Sequence, residues 1–310
     1  MKRRVAIVGT GWVGSSVAIS TLHSGVADEL LLHDLREDVA EGEAMDLAHG
    51  ASFYPSATVR AVPASAIGES DVVVIAAGRG GRPGQSRLDL LRHNAEMVRE
   101  IGRQLIGYEG TIVMVTNPVD VLTRVVAEAS ELPPARAIGT GTMLDTARLR
   151  QVLGRILRVD TRSVHAHVVG EHGDSEVVLW SAARVGAVRL RDWPHWDPAR
   201  ETEVAEDVRT AANEIIRRKG ATNHAIGLVT AHLLGSLLRG ERRVLTVSRV
   251  QEGVAGLHGV ALSLPAVVGS GGAADVIEPE MNADERERLH RSAAVLRDAA
   301  DSLSRRAAAP

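Results

Sequence analysis

The residues best suited to chemistry begin with a run of glycines, Gly9-Thr10-Gly11-Trp12-Val13-Gly14, which follows the apolar run Val5–Val8 directly. A G-x-G-x-x-G at a strand-to-helix turn permits a tight turn, brings backbone N–H groups up to a pyrophosphate and packs the helix closely on the strand. Turn geometry alone explains many such runs. The companion residue here is Asp34, 20 residues beyond Gly14 at the end of the next apolar run. A carboxylate there can accept both hydroxyls of an adenosine ribose and repels a 2′-phosphate, so Gly9, Gly11, Gly14 and Asp34 read as an NAD site rather than an NADP site. Farther along, Asp145 and Arg148 fall on one helix face, and His165, His167 and His172 gather around one strand. Taken singly, an Asp-x-x-Arg pair is most often a surface ion pair, and a histidine after a strand is a satisfied core or surface residue. Zinc on His165 and His167 would need a carboxylate or cysteine at metal spacing, and none accompanies them.

These residues need a frame. Up to about residue 150 the chain alternates short β-branched runs with longer amphipathic stretches, the pattern of a parallel sheet with crossover helices. Val5–Val8, Leu30–His33, Val72–Ala76 and Ile112–Val115 predict buried strands. The segments from Val13, Asp38, Leu88 and Val119 predict helices, with Gly25 closing the first and Pro118 opening the fourth. The fold class is α/β, a Rossmann doubly wound parallel sheet. After about Leu153 come longer strands, Val164–Val169, Val244–Val250 and Gly259–Val268, and helices near Asp197–Lys219, Thr222–Leu238 and Ala283–Arg305. They predict a mixed α+β substrate domain, so the division is a cofactor-binding domain, 1–153, and a catalytic domain, 154–310. No repeat or long linker appears, and only Arg305–Pro310 reads as a frayed tail.

The composition narrows the classes. The 310 residues suffice for two domains, and 45% hydrophobic and 24% charged residues with a net charge of −3 describe a globular protein, not a basic nucleic-acid binder or a ligand for anionic membranes. The absence of cysteine excludes disulfides, thiolate catalysis and cysteine metal sites and leaves a reducing compartment unopposed. Behind Met1-Lys2-Arg3-Arg4 the apolar run stops at Gly9, and no stretch reaches the roughly 18 apolar residues of a spanning helix. The expectation is a cytoplasmic protein without metal, nucleic-acid or membrane partners.

The segment His165–Glu176, HAHVVGEHGDSE, closely resembles the active-site segment of the L-lactate/malate dehydrogenase family, and Leu144-Asp145-Thr146-Ala147-Arg148 resembles that family's Leu-Asp-Ser-Ala-Arg. The likeness continues through Gly78–Leu90, Thr116–Asp120 and Gly220–Gly227, so it covers nearly the whole chain. It implies an NAD-dependent oxidoreductase interconverting a small (S)-2-hydroxy acid and its 2-oxo acid. Such a reaction needs a proton donor at the carbonyl oxygen, a cation for the carboxylate and a nicotinamide on one face of the carbonyl carbon. By resemblance His172 is the acid–base and Asp145 its orienting partner. Arg148 holds the substrate carboxylate bidentately, which lysine cannot reproduce, and Arg87 polarises the carbonyl from a mobile loop. Asn117 bonds substrate or the nicotinamide side, Ile226 packs on the nicotinamide ring and Thr222 walls the pocket.

The chain departs from the family where the substrate side chain is read. That loop position, glutamine in typical lactate enzymes and arginine in malate enzymes, is Gly81, followed by Arg82, and Asn213 stands where lactate enzymes often carry tyrosine. Thr222 resembles the lactate branch. L-lactate/pyruvate is therefore the expected pair, with malate/oxaloacetate as runner-up and a bulkier 2-oxo acid third. Arg150 and His165 match the positions where regulated bacterial relatives bind fructose 1,6-bisphosphate between subunits of a homodimer or homotetramer; an exposed arginine and a strand histidine without a ligand explain them equally. A catalytically silent dinucleotide-binding protein is the alternative of a different class. NAD-dependent glycosidases, similar in their first half, rely on a cysteine-containing metal site that this chain lacks.

Overall fold

The structure is a computed structural model that describes residues 2–79 and 87–304. The first half runs β1 (Arg4–Val8), α1 (Trp12–Ser24), β2 (Glu29–His33), α2 (Glu37–His49), β3 (Thr58–Ala61), β4 (Val72–Ile75), α3 (Arg87–Gln104), β5 (Thr111–Met114), α4 (Val119–Ser130), β6 (Ala137–Gly139) and α5 (Met143–Leu157). The second half adds β7 (Val164–His165), β8 (Val168–Val169), β9 (Val177–Val178), β10 (Arg184–Val185), β11 (Val188–Arg189), α6 (Glu201–Lys219), α7 (His224–Arg239), β12 (Arg243–Glu252), β13 (His258–Gly269), β14 (Gly272–Val276) and α8 (Ala283–Ser304).

Strands β1 to β6 are parallel in the order β6-β5-β4-β1-β2-β3, which puts the reversal of strand order, and hence a crevice, beside β1. Their near-continuous apolar runs follow from burial on both faces. Ala6, Val8, Leu31, Val73, Ile75, Ile112 and Met114 belong to one core, and their sequence neighbours Val5, Ile7, Leu30, Leu32, Val72, Val74 and Val113 to the other. Each fully buried Val, Leu or Ile contributes roughly 1.5–3 kcal/mol, so the sheet is a firmly packed support for a site. Leu289, Ala293 and Leu296 of α8, spaced four and then three residues apart, are all buried, and Asn282 and Glu285 cap each other's backbone N–H groups at its start.

The second half differs from expectation in two places. Strands β12, β13 and β14 continue the first sheet, with β12 pairing antiparallel to β6 at Ser248↔Gly139, so one sheet of nine strands crosses the chain's midpoint. Position 153/154 itself lies within α5. The expected strand Val164–Val169 is two short pieces: β7 pairs with β10, and β8 with β9. The break has a cause, since the carbonyl of Ala166 accepts Arg150 Nε at 3.1 Å and Thr146 Oγ1 takes the Val168 N–H at 3.0 Å. Strands β3, β6 and β14 escape the sequence reading because Thr-Val-Arg-Ala, Ala-Ile-Gly and Gly-Ala-Ala-Asp-Val lack the continuous β-branched or leucine runs of the other strands.

Candidate active site

The glycine turn lies between β1 and α1, beside β2. Gly9 has φ +92°, and a Cβ there would lie 2.4 Å from Cα of Ala77; a Cβ on Gly14 would lie 1.8 Å from the Gly9 carbonyl oxygen. Both positions demand glycine. Among the described residues a Cβ on Gly11 would meet nothing within 4 Å, so the middle glycine borders open space at the start of α1, where none of their side chains caps the helix. Unclaimed first-turn N–H groups at the positive end of a helix dipole suit a pyrophosphate. Asp34, just past β2, accepts the Thr10 N–H at 2.9 Å through Oδ2 and the Arg36 N–H at 3.1 Å through Oδ1. Gly9, Gly11, His33, Asp34 and Arg36 line one cavity of about 560 Å³. The turn, the open helix end and the carboxylate therefore fit a dinucleotide, with the phosphates at Gly11 and a ribose at Asp34.

The second part of the site is assembled from distant segments. Past β8 the chain is clamped by reciprocal bonds between Gly170 and Ser263 of β13, both at 2.9 Å, and by Ser292 Oγ of α8, which accepts the Glu171 N–H at 2.8 Å. The next residue, His172, donates its backbone N–H to Asp120 Oδ2 on α4 at 2.7 Å, and its Nδ1 lies 2.5 Å from Asp145 Oδ2 on α5. The other Asp145 oxygen accepts Arg148 Nη1 at 2.6 Å. Asp145 is 2% exposed, so two cationic partners offset the burial of its charge. Burial favours neutral imidazole, but the Asp145 charge and hydrogen bond, helped by Asp120, outweigh it and raise His172 to about 9. Burial also opposes ionisation of Asp145, yet the charges and hydrogen bonds of His172 and Arg148 hold it below the usual carboxylate range. With Nδ1 fixed on Asp145, Nε2 is left for a substrate, and the ring carries its proton at neutral pH. The arrangement can donate a proton beside a cation able to grip a carboxylate.

Two carboxyls quoted within the motifs without a role belong to this cluster. Asp120 is 1% exposed, and burial pushes it up to about 6 against the pull of Ser248 and His172. Glu176 is also buried, and its Oε1 has no hydrogen-bond partner among the described residues. An acidic residue in the first turn of a helix and another just before a strand are unremarkable in sequence; only the TNPVD and HGDSE contexts marked them.

The other expected residues are placed as follows. The Asn117–Pro118 peptide is cis; Asn117 Oδ1 accepts the Val119 N–H at 3.3 Å and its carbonyl accepts Asn94 Nδ2 at 3.2 Å. Thr222 is half-buried between α6 and α7, next to Asn223, which donates to Ser16 Oγ of α1 at 2.9 Å, and Ile226 packs against the core beneath α7. Arg87 opens α3; its side chain, Gly81 and Arg82 lie outside the described residues. Arg150 Nη2 is 3.5 Å from His167 Nδ1, and with Arg162 and His232 these residues line a cavity of about 410 Å³. His165 is exposed on β7. His167 therefore turns to Arg150 while His172 turns to Asp145, and among the described residues no group of three or more His, Asp or Glu could hold a metal. No helix among them is long and apolar enough to cross a membrane.

Residues 3–139 match the family described as lactate/malate dehydrogenase, NAD binding domain, and residues 142–305 match the lactate/malate dehydrogenase alpha/beta C-terminal domain. The chain is 43% identical over 301 residues to an L-lactate dehydrogenase of Synechococcus sp. (strain JA-3-3Ab), covering 96% of this chain and 98% of that one. It is 44% identical over 310 residues to an L-lactate dehydrogenase of Salinibacter ruber, covering 98% of each. The crystal structure of a minor L-lactate dehydrogenase from Enterococcus mundtii in a ligands-bound form superposes with a TM-score of 0.95 at 37% identity, over 97% of this chain and 98% of that one. A glycine turn built for a dinucleotide, a histidine charged by a buried aspartate and matches along both halves lead to one conclusion: the chain belongs to the lactate/malate dehydrogenase family of NAD-dependent 2-hydroxy acid oxidoreductases.

Proposed function

We propose that the chain interconverts L-lactate and pyruvate. NAD(H), held by Gly9, Gly11, Gly14 and Asp34 and packed by Ile226, supplies or takes the hydride. In the reductive direction His172 gives its Nε2 proton to the carbonyl oxygen, and Asp145 keeps the ring oriented and stabilises its charged form. Arg148 has five N–H donors, of which Asp145 takes one through Nη1, and the fork grips the substrate carboxylate. Arg87 polarises the carbonyl, Asn117 bonds the substrate or nicotinamide side, and Thr222 bounds the pocket. The observation that carries this reading is Asp145 held between His172 at 2.5 Å and Arg148 at 2.6 Å, one acid–base and one cation fixed by a single buried carboxylate.

Pyruvate is favoured over oxaloacetate because Gly81 offers no cation to a second carboxylate, whose unpaired burial costs several kcal/mol. The cofactor domain, 1–153, and the catalytic domain, 154–310, share the site, which joins Asp145 of one to His172 of the other. The same reading makes the enzyme a cytoplasmic homodimer or homotetramer, with Arg150 and His165 gripping fructose 1,6-bisphosphate; the support is Arg150, which lines one cavity together with a second arginine, Arg162. Initial rates with NADH across pyruvate, oxaloacetate, phenylpyruvate and branched 2-oxo acids test the assignment, with and without the bisphosphate. Pyruvate should be best and the effector should lower its half-saturating concentration, an effect lost in Arg150→Gln. A preference for oxaloacetate that Arg82→Gln destroys overturns the lactate assignment, and indifference to the bisphosphate retires the effector site.

A further inference from the structure

The turn that carries His172 runs from β8 to β9, and two of its residues meet a hydroxyl from the far end of the chain. Ser292, on α8 and 0% exposed, accepts the Glu171 N–H at 2.8 Å and lies 3.0 Å from Ser175 Oγ. The Ser175 hydroxyl donates in turn to the Glu171 carboxylate, which also accepts the Ser175 N–H at 3.2 Å. Proton counting fixes the direction of these bonds. A backbone N–H can only donate and a carboxylate only accept, and each serine hydroxyl between them has one proton, so Ser292 donates to Ser175 and Ser175 to Glu171. The result is a closed ring from the Glu171 N–H through Ser292 and Ser175 back to the Glu171 side chain, in which each bond polarises the next.

The surroundings make room for this ring. A Cβ on Gly170, at φ +86°, would lie 2.8 Å from Ser292 Oγ, so glycine admits the hydroxyl. The same helix takes hold of the chain again past β9, where Glu285 accepts the Ser181 N–H at 2.9 Å and the Ser181 hydroxyl. His172 lies within the span of the ring, with its own N–H on Asp120 at 2.7 Å and its Nδ1 2.5 Å from Asp145 Oδ2. A shift of the turn is therefore felt directly at the imidazole.

We propose that Ser292 is a positioning residue for His172: its hydroxyl closes the ring that fixes residues 171–175 and thereby holds the imidazole on Asp145. The proposal rests on His172 being the acid–base. Ser292 moves no proton during turnover; it acts only through the place of the turn. Asp145 and Arg148 from α5, Asp120 from α4 and Glu176 from the same turn supply the charges that act on the imidazole. Burial lowers its proton affinity, and the charge and hydrogen bond of Asp145, helped by Asp120, raise it to about 9, so a looser contact with Asp145 brings that value down.

Pyruvate reduction at saturating NADH, followed from neutral to alkaline pH in wild type and Ser292→Ala, tests this. The alkaline limb of kcat/KM, at about pH 9 in wild type, should fall by about one pH unit in the variant, and kcat at neutral pH by about tenfold, while the KM for NADH holds. Ser175→Ala opens the ring from the other side, and tests it even if the buried substitution does not fold. It should move the limb the same way by less, since Ser292 still accepts the Glu171 N–H, and the double variant should go no further than Ser292→Ala. Leu296→Val thins the packing of α8 one turn on, keeps the hydroxyl, and should lower the melting temperature with the limb in place. An NMR titration of apoenzyme with isotope-labelled histidine, the His172 signal identified by its loss in His172→Ala, reads the same shift without turnover. A His172 titration that neither serine variant moves overturns the proposal, as does a limb that Leu296→Val moves equally. A wild type that reduces no 2-oxo acid sinks the acid–base reading alone, and the NMR titration still decides the role of Ser292.

Discussion

The two ends of the site are built on different principles. The cofactor end is local and made of backbone: β1, the glycine turn, the start of α1 and the tip of β2 all fall within residues 4–34, and what matters there is the absence of side chains at Gly9, Gly11 and Gly14 and one carboxylate at Asp34. The acid–base end is made of side chains gathered from far apart: Asp120 from α4, Asp145 and Arg148 from α5, His172 and Glu176 from a loop, with Arg209 on α6 behind them. The first is kept in shape by sheet pairing and steric necessity. The second is kept in shape by charge, since Asp145 would be a costly buried anion without both cations. The cofactor end should therefore fail sterically, while the acid–base end should fail electrostatically and through pH.

The largest effect belongs to the acid–base end. His172→Ala removes the proposed proton donor and should cut turnover by roughly 10²–10⁴ while NADH binding stays near wild type, because the hydrogen bonds of His172 go to Asp120 and Asp145 and not to the glycine turn. NADH titration by fluorescence alongside single-turnover rates would check this. Retained turnover removes His172 from the mechanism, and lost NADH affinity would mean that the two ends are not separable.

The same contrast governs how much of the molecule could be read before its structure. The strand, glycine turn and Asp34 form a short-range pattern whose physics lies in the spacing, so their arrangement was legible from the residues alone. His172, Asp145 and Arg148 were legible only by resemblance, because nothing in the spacing of residues 145 and 172 says that they meet; the segment before His172 is held by Ser263 of β13 and Ser292 of α8, far along the chain. Asp120 and Glu176 were hidden for a further reason. Their importance is their burial, which is set by tertiary packing, and a carboxylate shows no sign of burial in its own sequence neighbourhood. Strands β12–β14 were recognised in part as strands but not as a continuation of the first sheet, since the join is the short β6.

A smaller effect separates two glycines of the same turn. A Cβ on Gly14 would sit 1.8 Å from the Gly9 carbonyl oxygen, so Gly14→Ala must push helix from strand and should cost roughly 1–3 kcal/mol of stability, a melting temperature lower by several degrees. Gly11→Ala meets no atom of the described residues within 4 Å and should melt like wild type, yet its methyl occupies space assigned to the pyrophosphate and should weaken NADH. Thermal melts with and without NADH distinguish them. If Gly11→Ala binds NADH normally, the phosphates do not lie over that glycine.

The smallest expected change concerns Asp34, where charge and geometry act together. Its two oxygens are already tied to the Thr10 and Arg36 N–H groups, so the carboxylate is pre-aimed and loses little freedom when a ribose arrives. A serine at this position can accept from Thr10 but cannot offer two charged acceptors to a ribose diol, and hydrogen bonds to charged groups are worth roughly 1.5–3 kcal/mol. Asp34→Ser should therefore weaken NADH about tenfold, the lower end of that range, because the remaining contacts of the dinucleotide are untouched. NADPH should change in the opposite sense, since removing the carboxylate lifts its repulsion of the 2′-phosphate and leaves the Arg36 side chain close by. The gap between the two cofactors should narrow mainly through the loss of NADH. Equal efficiency of the wild type with both cofactors would show that Asp34 does not select the ribose, and the cofactor end would then bind by backbone alone.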